Sequence, residues 1–209
     1  MPSRASLTLR RRPPSRLPKA AFVILTEGQN TEVMYFKALR KAFGNPIIEL
    51  RGIGGDPKTL ADQALKWTNA LRRSKDSYEK NDQVWVVFDR DIHKNYAASV
   101  IKCEQKGIGV ARSNPCFELW LVLHLQDFDQ PGDHHYLQSY FAKLCPDYDP
   151  SRGKKPDCAA LMQHIADAEQ RAERQLNRRE AEGAPFGAPS TTVFKLIRAL
   201  REHAKDKQL

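Results

Sequence analysis

Residues 84–88 read Val-Trp-Val-Val-Phe without a polar break, and two aspartates, Asp89 and Asp91, close the run. A short continuous apolar run fits a strand covered on both faces, as strands are in a parallel sheet flanked by helices. In such open α/β sheets, ligands bind beyond the carboxyl ends of the strands. Side chains two apart on an extended segment point the same way, so both carboxylates can face one point in space. Like charges that close repel and raise each other's pKa unless a cation lies between them. A hard divalent cation such as Mg2+ answers that need with oxygen ligands. Other readings of the pattern stay open at this point. Aspartate suits the turns after strands, and Asp91 can cap a following helix. Aspartyl-phosphate phosphatases and nucleotide-sugar transferases also place Asp-x-Asp at strand ends.

A second acidic element follows the first strand. Ala21-Phe22-Val23-Ile24-Leu25-Thr26 is apolar, and Glu27-Gly28 comes directly after it. Gly28 allows a sharp turn. Asn30 or Thr31 then caps a helix beginning near Glu32. Glu32, Phe36, Leu39 and Phe43 share one face of that helix, which sets Glu32 against the sheet and the Glu27 loop. An acid in the first helical turn also complements the helix dipole, and this serves equally as the reason for Glu32.

Strand and helix keep alternating along the chain. Residues 47–53 read as a second strand, and Asp56-Pro57 opens a helix striped by Leu60, Ala64, Trp67 and Leu71. Residues 95–106 are helical up to an αL cap at Gly107, and residues 108–111 form a fourth strand. The pattern predicts an α/β domain with a mainly parallel central sheet of about four strands, flanked by helices and extended by helices at the C terminus. The expected organisation is a basic tail over residues 1–20, an α/β core over 21–125, and an irregular insertion plus C-terminal helices over 126–209.

Asn114-Pro115 repeats the cap-and-proline signal and predicts a helix through about Leu125, apolar nearly all round and so deeply buried. Glu118 stands in that apolar helix, and a buried carboxylate is costly unless paired, hydrogen-bonded or metal-bound. It reads as a second-metal ligand, as the orienter of a basic residue, or as half of an ion pair with Arg112 or another base. His124 reads as a satisfied core histidine. Residues 127–157 read as a long irregular insertion, with His134-His135 in an exposed loop and Arg152, Lys154 and Lys155 in a basic turn. Residues 157–182 predict one long charged helix, and Ser190 caps a last helix striped by Val193, Leu196, Ile197 and Leu200.

The chain of 209 residues carries a formal net charge of +9, of which +6 lies in residues 1–20 on Arg4, Arg10, Arg11, Arg12, Arg16 and Lys19. That Pro- and Ser-rich tail suits a phosphate backbone or plain solubility. No apolar stretch approaches the ~18 residues of a membrane helix, so a cytoplasmic protein without a membrane partner is expected. Cys103, Cys116, Cys145 and Cys158 lack Cys-x-x-Cys spacing and read as free thiols rather than zinc ligands.

The acidic pattern, a Glu after the first strand and Asp-x-Asp after a later one, resembles the TOPRIM domain of topoisomerases, primases and overcoming-lysogenization-defect nucleases. The chain is more similar still to the RloB-like family of phage-resistance proteins, which belong with TOPRIM. Four segments carry that resemblance: Glu27 to Glu32 with Tyr35-Phe36, Val87 to Asp91, Ser113-Asn114-Pro115-Cys116-Phe117-Glu118-Leu119-Trp120 through His124, and Pro189 to Val193. One departure is Ala188-Pro189-Ser190, where the family pattern has Asn-Pro-Ser. The resemblance implies a Mg2+-dependent nuclease, with Mn2+ as an alternative, acting on DNA or RNA beside an ABC-type ATPase; a homo-oligomer is compatible with it. It implies that Lys154 approaches the scissile phosphate, although a solvated charge run accounts for that lysine as well. In this reading Asp89 and Asp91 ligate the metal, and Glu27 is a third ligand or the general base. Glu32 or Glu118 supports a second ion about 3.5–4 Å away. A non-catalytic module that binds nucleic acid or the ATPase is the alternative reading.

Overall fold

Residues 22–44, 48–74, 82–90, 95–149, 151 and 155–205 are described by a computed structural model. Among these described residues five strands form one sheet: β1 (Phe22–Thr26), β2 (Ile48–Gly52), β3 (Gln83–Asp89), β4 (Gly109–Asn114) and β5 (Ser190–Thr191), in the order β2-β1-β3-β4-β5. The first four run parallel, and β5 pairs antiparallel with β4. Among the described residues eight α-helices accompany them: α1 (Thr31–Ala42), α2 (Pro57–Arg73), α3 (Tyr96–Gln105), α4 (Glu118–Leu125), α5 (His134–Leu144), α6 (Cys158–Leu161), α7 (Ile165–Ala181) and α8 (Val193–Lys205). The arrangement fits the TOPRIM-like α/β architecture expected from the sequence. Among the described residues no helix is long and apolar enough to cross a membrane.

The sheet is buried on both faces because its strands alternate between two cores. Phe22, Ile24 and Val87 pack with α1, α4, α7 and α8, around Tyr35, Phe36, Trp120, Ala172 and Leu196. Val23, Leu25, Val84, Val86 and Phe88 pack with α2 and α3, around Leu60, Ala64, Val100 and Cys103. Adjacent residues of one strand therefore serve opposite cores, and this decides where the polar residues at the strand ends go. Helix starts are encoded locally. Asp56 caps α2 by accepting from the Thr59 N–H at 2.7 Å, a bond worth about 1 kcal/mol. Gly107 takes φ +71° after α3, in the left-handed region that closes a helix end.

The structure corrects several expectations. The sheet has a fifth strand, and Ser190 lies in it rather than capping α8. The Thr191 and Thr192 hydroxyls bond the β4 backbone, donating to Arg112 O at 3.1 Å and accepting from Arg112 N–H at 3.0 Å respectively. Two residues are too short a run to show a strand pattern. The helix predicted to begin at Asn114-Pro115 begins at Glu118, because β4 extends through Asn114. The segment expected to be irregular contains α5, capped by Asp133 accepting from Tyr136 N–H at 2.8 Å. His134 and His135 thus open a helix instead of lying in a loop; Leu137 and Phe141 of that helix are buried in the core that receives α4. The long helix expected over 157–182 is broken, with α6 capped by Asp157 and a 3-10 turn at Met162–His164 before α7. No proline or glycine marks that tightening. The basic tail over residues 1–20 lies outside the described residues.

Candidate metal centre at the strand ends

The β1–β3 ladder continues one residue past β1, where Glu27 N–H donates to Val87 O at 3.0 Å. That bond holds Glu27 beside the end of β3, and its Oε2 accepts from the Asp89 N–H at 3.3 Å. Two of the expected acids from separate strands thus meet directly. Glu32, on the first turn of α1, reaches back so that Oε1 accepts from Gly28 N–H at 3.0 Å. Gly28 is needed for close approach rather than for an unusual φ. A Cβ there would lie 2.0 Å from Glu32 Oε2, so any side chain would expel the Glu32 carboxylate.

Glu118 joins from the other side of the site. It opens α4, is 3 % exposed, and its Oε1 accepts from the Tyr148 hydroxyl at 2.6 Å. A hydrogen bond that short to a carboxylate is of the strong, charge-assisted kind. Tyr148 packs edge-on against Phe141 with ring centroids 4.8 Å apart. Burial and the neighbouring Glu118 carboxylate push its phenol far up, so it stays a neutral donor. Arg112 is committed elsewhere, donating Nη2 to Pro185 O at 2.6 Å.

Asp89 is the electrostatic focus. As a residue it is half-buried, yet its Oδ1 is sealed from solvent and has no hydrogen-bond partner. Burial raises its pKa well above the usual carboxylate range. The Glu32, Glu118 and Glu27 carboxylates add to that rise, against a backbone hydrogen bond at Phe117. Cys116 stands in the same field. Burial, Glu118 and Asp89 hold it firmly as a thiol, so it is no thiolate nucleophile. Four carboxylates from three segments of chain therefore converge on the carboxyl ends of β1 and β3. Such a donor set suits a hard divalent cation and no soft one. Among the described residues, however, no three of these groups already stand spaced as the ligands of one ion. Glu27 and Glu32 have oxygens turned to backbone N–H groups, and Asp91 and Lys154 lie outside the described residues.

His124 is a satisfied core histidine, as its sequence setting implied. Nδ1 lies 2.8 Å from Trp120 O, and Nε2 lies 3.1 Å from the Tyr35 hydroxyl. Burial lowers its pKa to about 4. All four cysteines are free and buried. Sequence reasoning missed Tyr148, whose only sequence mark is a lone aromatic in a polar stretch 30 residues beyond its partner.

The sequence model of the family described as RloB-like protein matches residues 22–200. No curated protein matches the chain. No solved structure matches it either.

Proposed function

The chain belongs to the RloB-like family, and from that premise we propose that it is a Mg2+-dependent nuclease hydrolysing phosphodiester bonds in DNA or RNA. In this reading it is the effector of an anti-phage defence system and works with an ABC-type ATPase. The observation that carries the reading is the gathering of Glu27, Glu32 and Glu118 around Asp89, whose Oδ1 is sealed without a hydrogen-bond partner, at the sheet edge where α/β proteins bind ligands. Carboxylates brought together from separate segments at that edge form an all-oxygen donor set that suits a hard divalent cation.

Asp89 and Asp91, with Glu27, would hold the ion, Mg2+ or Mn2+, and Glu32 or Glu118 would hold a second. When bound, the cation neutralises charge on the phosphoryl oxygens and on the carboxylates themselves. Glu27 is half-buried at the rim, the position from which a carboxylate can take a proton from an attacking water. Glu32 also fastens the Gly28 turn that carries Glu27, and Tyr148 works at one remove by fixing the Glu118 carboxylate.

Cleavage of plasmid DNA and of single-stranded RNA tests the proposal, with Mg2+ or Mn2+ and with or without an ATPase partner. Cleavage that depends on the cation and disappears in Glu27→Ala and Asp89→Ala, both still folded, is the expected result. No cleavage by the unaltered protein under any of these conditions would overturn it in favour of a non-catalytic binding subunit. Turnover of a generic phosphomonoester would instead restore the phosphatase alternative.

A further inference from the structure

Strand alternation sends neighbouring residues at the end of β3 to opposite faces of the sheet. Asp89 goes to the carboxylate side, whereas Arg90 continues the row of Val86 and Phe88 on the α2–α3 side. On β4, Arg112 pairs in register with Phe88, and Asn114 lies one step further along the same row. Arg90, Arg112 and Asn114 thus form a basic, amide-bearing group on the reverse side of the strand ends that carry the acids.

All three donate to the turn between α7 and β5. Arg90 Nη1 and Asn114 Nδ2 both reach Phe186 O at 2.7 Å, and Arg112 Nη2 reaches Pro185 O at 2.6 Å. The Phe186 ring lies 4.7 Å from the Arg112 guanidinium and meets the Tyr96 ring edge-on at 6.1 Å. Arg112 is only 7 % exposed. Among the described residues no carboxylate pairs with it; its Nη1 and the Tyr96 hydroxyl are sealed from solvent and interact with each other without a well-formed hydrogen bond. Carbonyl dipoles satisfy hydrogen bonds but do not neutralise a guanidinium, and a buried charge without a counter-charge is unfavourable. Two arginines and an amide converging on two oxygens have the chemistry of phosphate recognition, with backbone oxygens standing where phosphate oxygens would.

We propose that Arg90, Arg112, Asn114 and Tyr96 form a phosphate-binding cradle for a nucleic-acid strand, and that the Pro185–Phe186 turn occupies it until phosphodiester oxygens displace the two carbonyls. The ligand's identity rests on the nuclease reading above; the anion site itself does not.

The test uses the full chain in EDTA, so that no cation takes part. One arm titrates inorganic phosphate by calorimetry, and the other titrates a short fluorescent single-stranded oligonucleotide by anisotropy. Arg112→Met keeps an unbranched side chain of similar length in the buried position, and Arg90→Gln alters an exposed one. Each variant should weaken oligonucleotide binding, Arg112→Met by about tenfold, and should reduce the salt dependence by about one ion. Phe186→Ala, which loosens the cover, should tighten binding. The cradle is refuted if Arg90→Gln and Arg112→Met bind like the unaltered protein, or if Phe186→Ala weakens binding as they do. Binding of inorganic phosphate alone, with the oligonucleotide unaffected by either arginine, would overturn the assignment to a substrate strand. Loss of binding in these variants from a protein that never cleaves would leave the cradle standing while the nuclease reading falls. Cation-dependent cleavage with unchanged binding would do the reverse.

Discussion

Replacing Asp89 by asparagine removes one charge from the centre of the carboxylate group while keeping its shape, and the structure specifies the sign of the effect. Burial, Glu32, Glu118 and Glu27 all hold the folded pKa of Asp89 above its ordinary value near 3.8. Between that ordinary value and the raised one, the folded chain binds a proton that the unfolded chain has lost. Stability must therefore fall as pH rises through this window, by up to about 1.4 kcal/mol per pH unit, and level off above the folded pKa. Asp89→Asn lacks that slope. Its amide can donate to the surrounding carboxylates, so at pH 7 in EDTA it should exceed the unaltered protein by about 0.5–2 kcal/mol, the usual yield of relieving a functional site. For a chain of this size that is a rise of about 1–8 °C in Tm. Adding Mg2+ should then reverse the order. A ligand at 100 times its Kd adds about 2.7 kcal/mol to the protein that binds it and nothing to one that does not. Urea unfolding across pH 4–8, with and without Mg2+, measures both effects. Equal slopes for the two proteins, or an Asp89→Asn chain that is the less stable one in EDTA at pH 7, would refute the reasoning.

Other perturbations report on neighbouring parts. Tyr148→Phe keeps the ring against Phe141 and deletes only the donor to Glu118; it should cost about 1.5–3 kcal/mol in denaturant unfolding at unchanged m-value. His124, held near pKa 4 instead of 6.5, binds fewer protons folded than unfolded. Its contribution is complete above pH 6.5 and declines by up to about 3 kcal/mol as pH falls to 4, and a His124→Gln chain should lack that part of the acid destabilisation. Glu169, whose side chain is 7 % exposed, accepts from Arg201 with both oxygens and lies 3.5 Å from Arg198, tying α7 to α8. Glu169→Gln removes the carboxylate that those partly exposed arginines share, while Arg198 keeps Glu173, and should cost about 1.5–3 kcal/mol by the same unfolding measurement.

What could be read from the chain, and what could not, follows from how far apart in sequence each determinant lies. The four parallel strands, the Asp56 and Gly107 helix boundaries and the two cores are local signals, because strand runs and cap residues act within a few positions. The approach of Glu32 to the Glu27 loop was legible for the same reason, since one turn of helix and a glycine separate them. Glu118 was legible only as an anomaly. An acid in an apolar helix must have an answer, but residue types alone left a metal, an orienting role and Arg112 as candidates. One answer among the described residues is Tyr148, brought in by α5, a helix hidden behind histidines, aspartates and a proline.

Arg112 shows the limit more sharply. Its hydrogen-bond partner is Pro185 O, 73 residues away, and that carbonyl reaches it because a two-residue strand turns the chain back along β4. A strand so short leaves no periodicity to detect. Alternation on β3 nevertheless holds the organising rule. In Asp89-Arg90 adjacent side chains of opposite charge must leave the strand on opposite sides. One pair of residues thus places an acidic group and a basic group back to back across a single strand end. A phosphodiester lying over that end would meet the carboxylates on one side and the guanidinium groups on the other. On the nuclease reading proposed above, that arrangement would let the acids attract a metal without repelling the strand that it acts on.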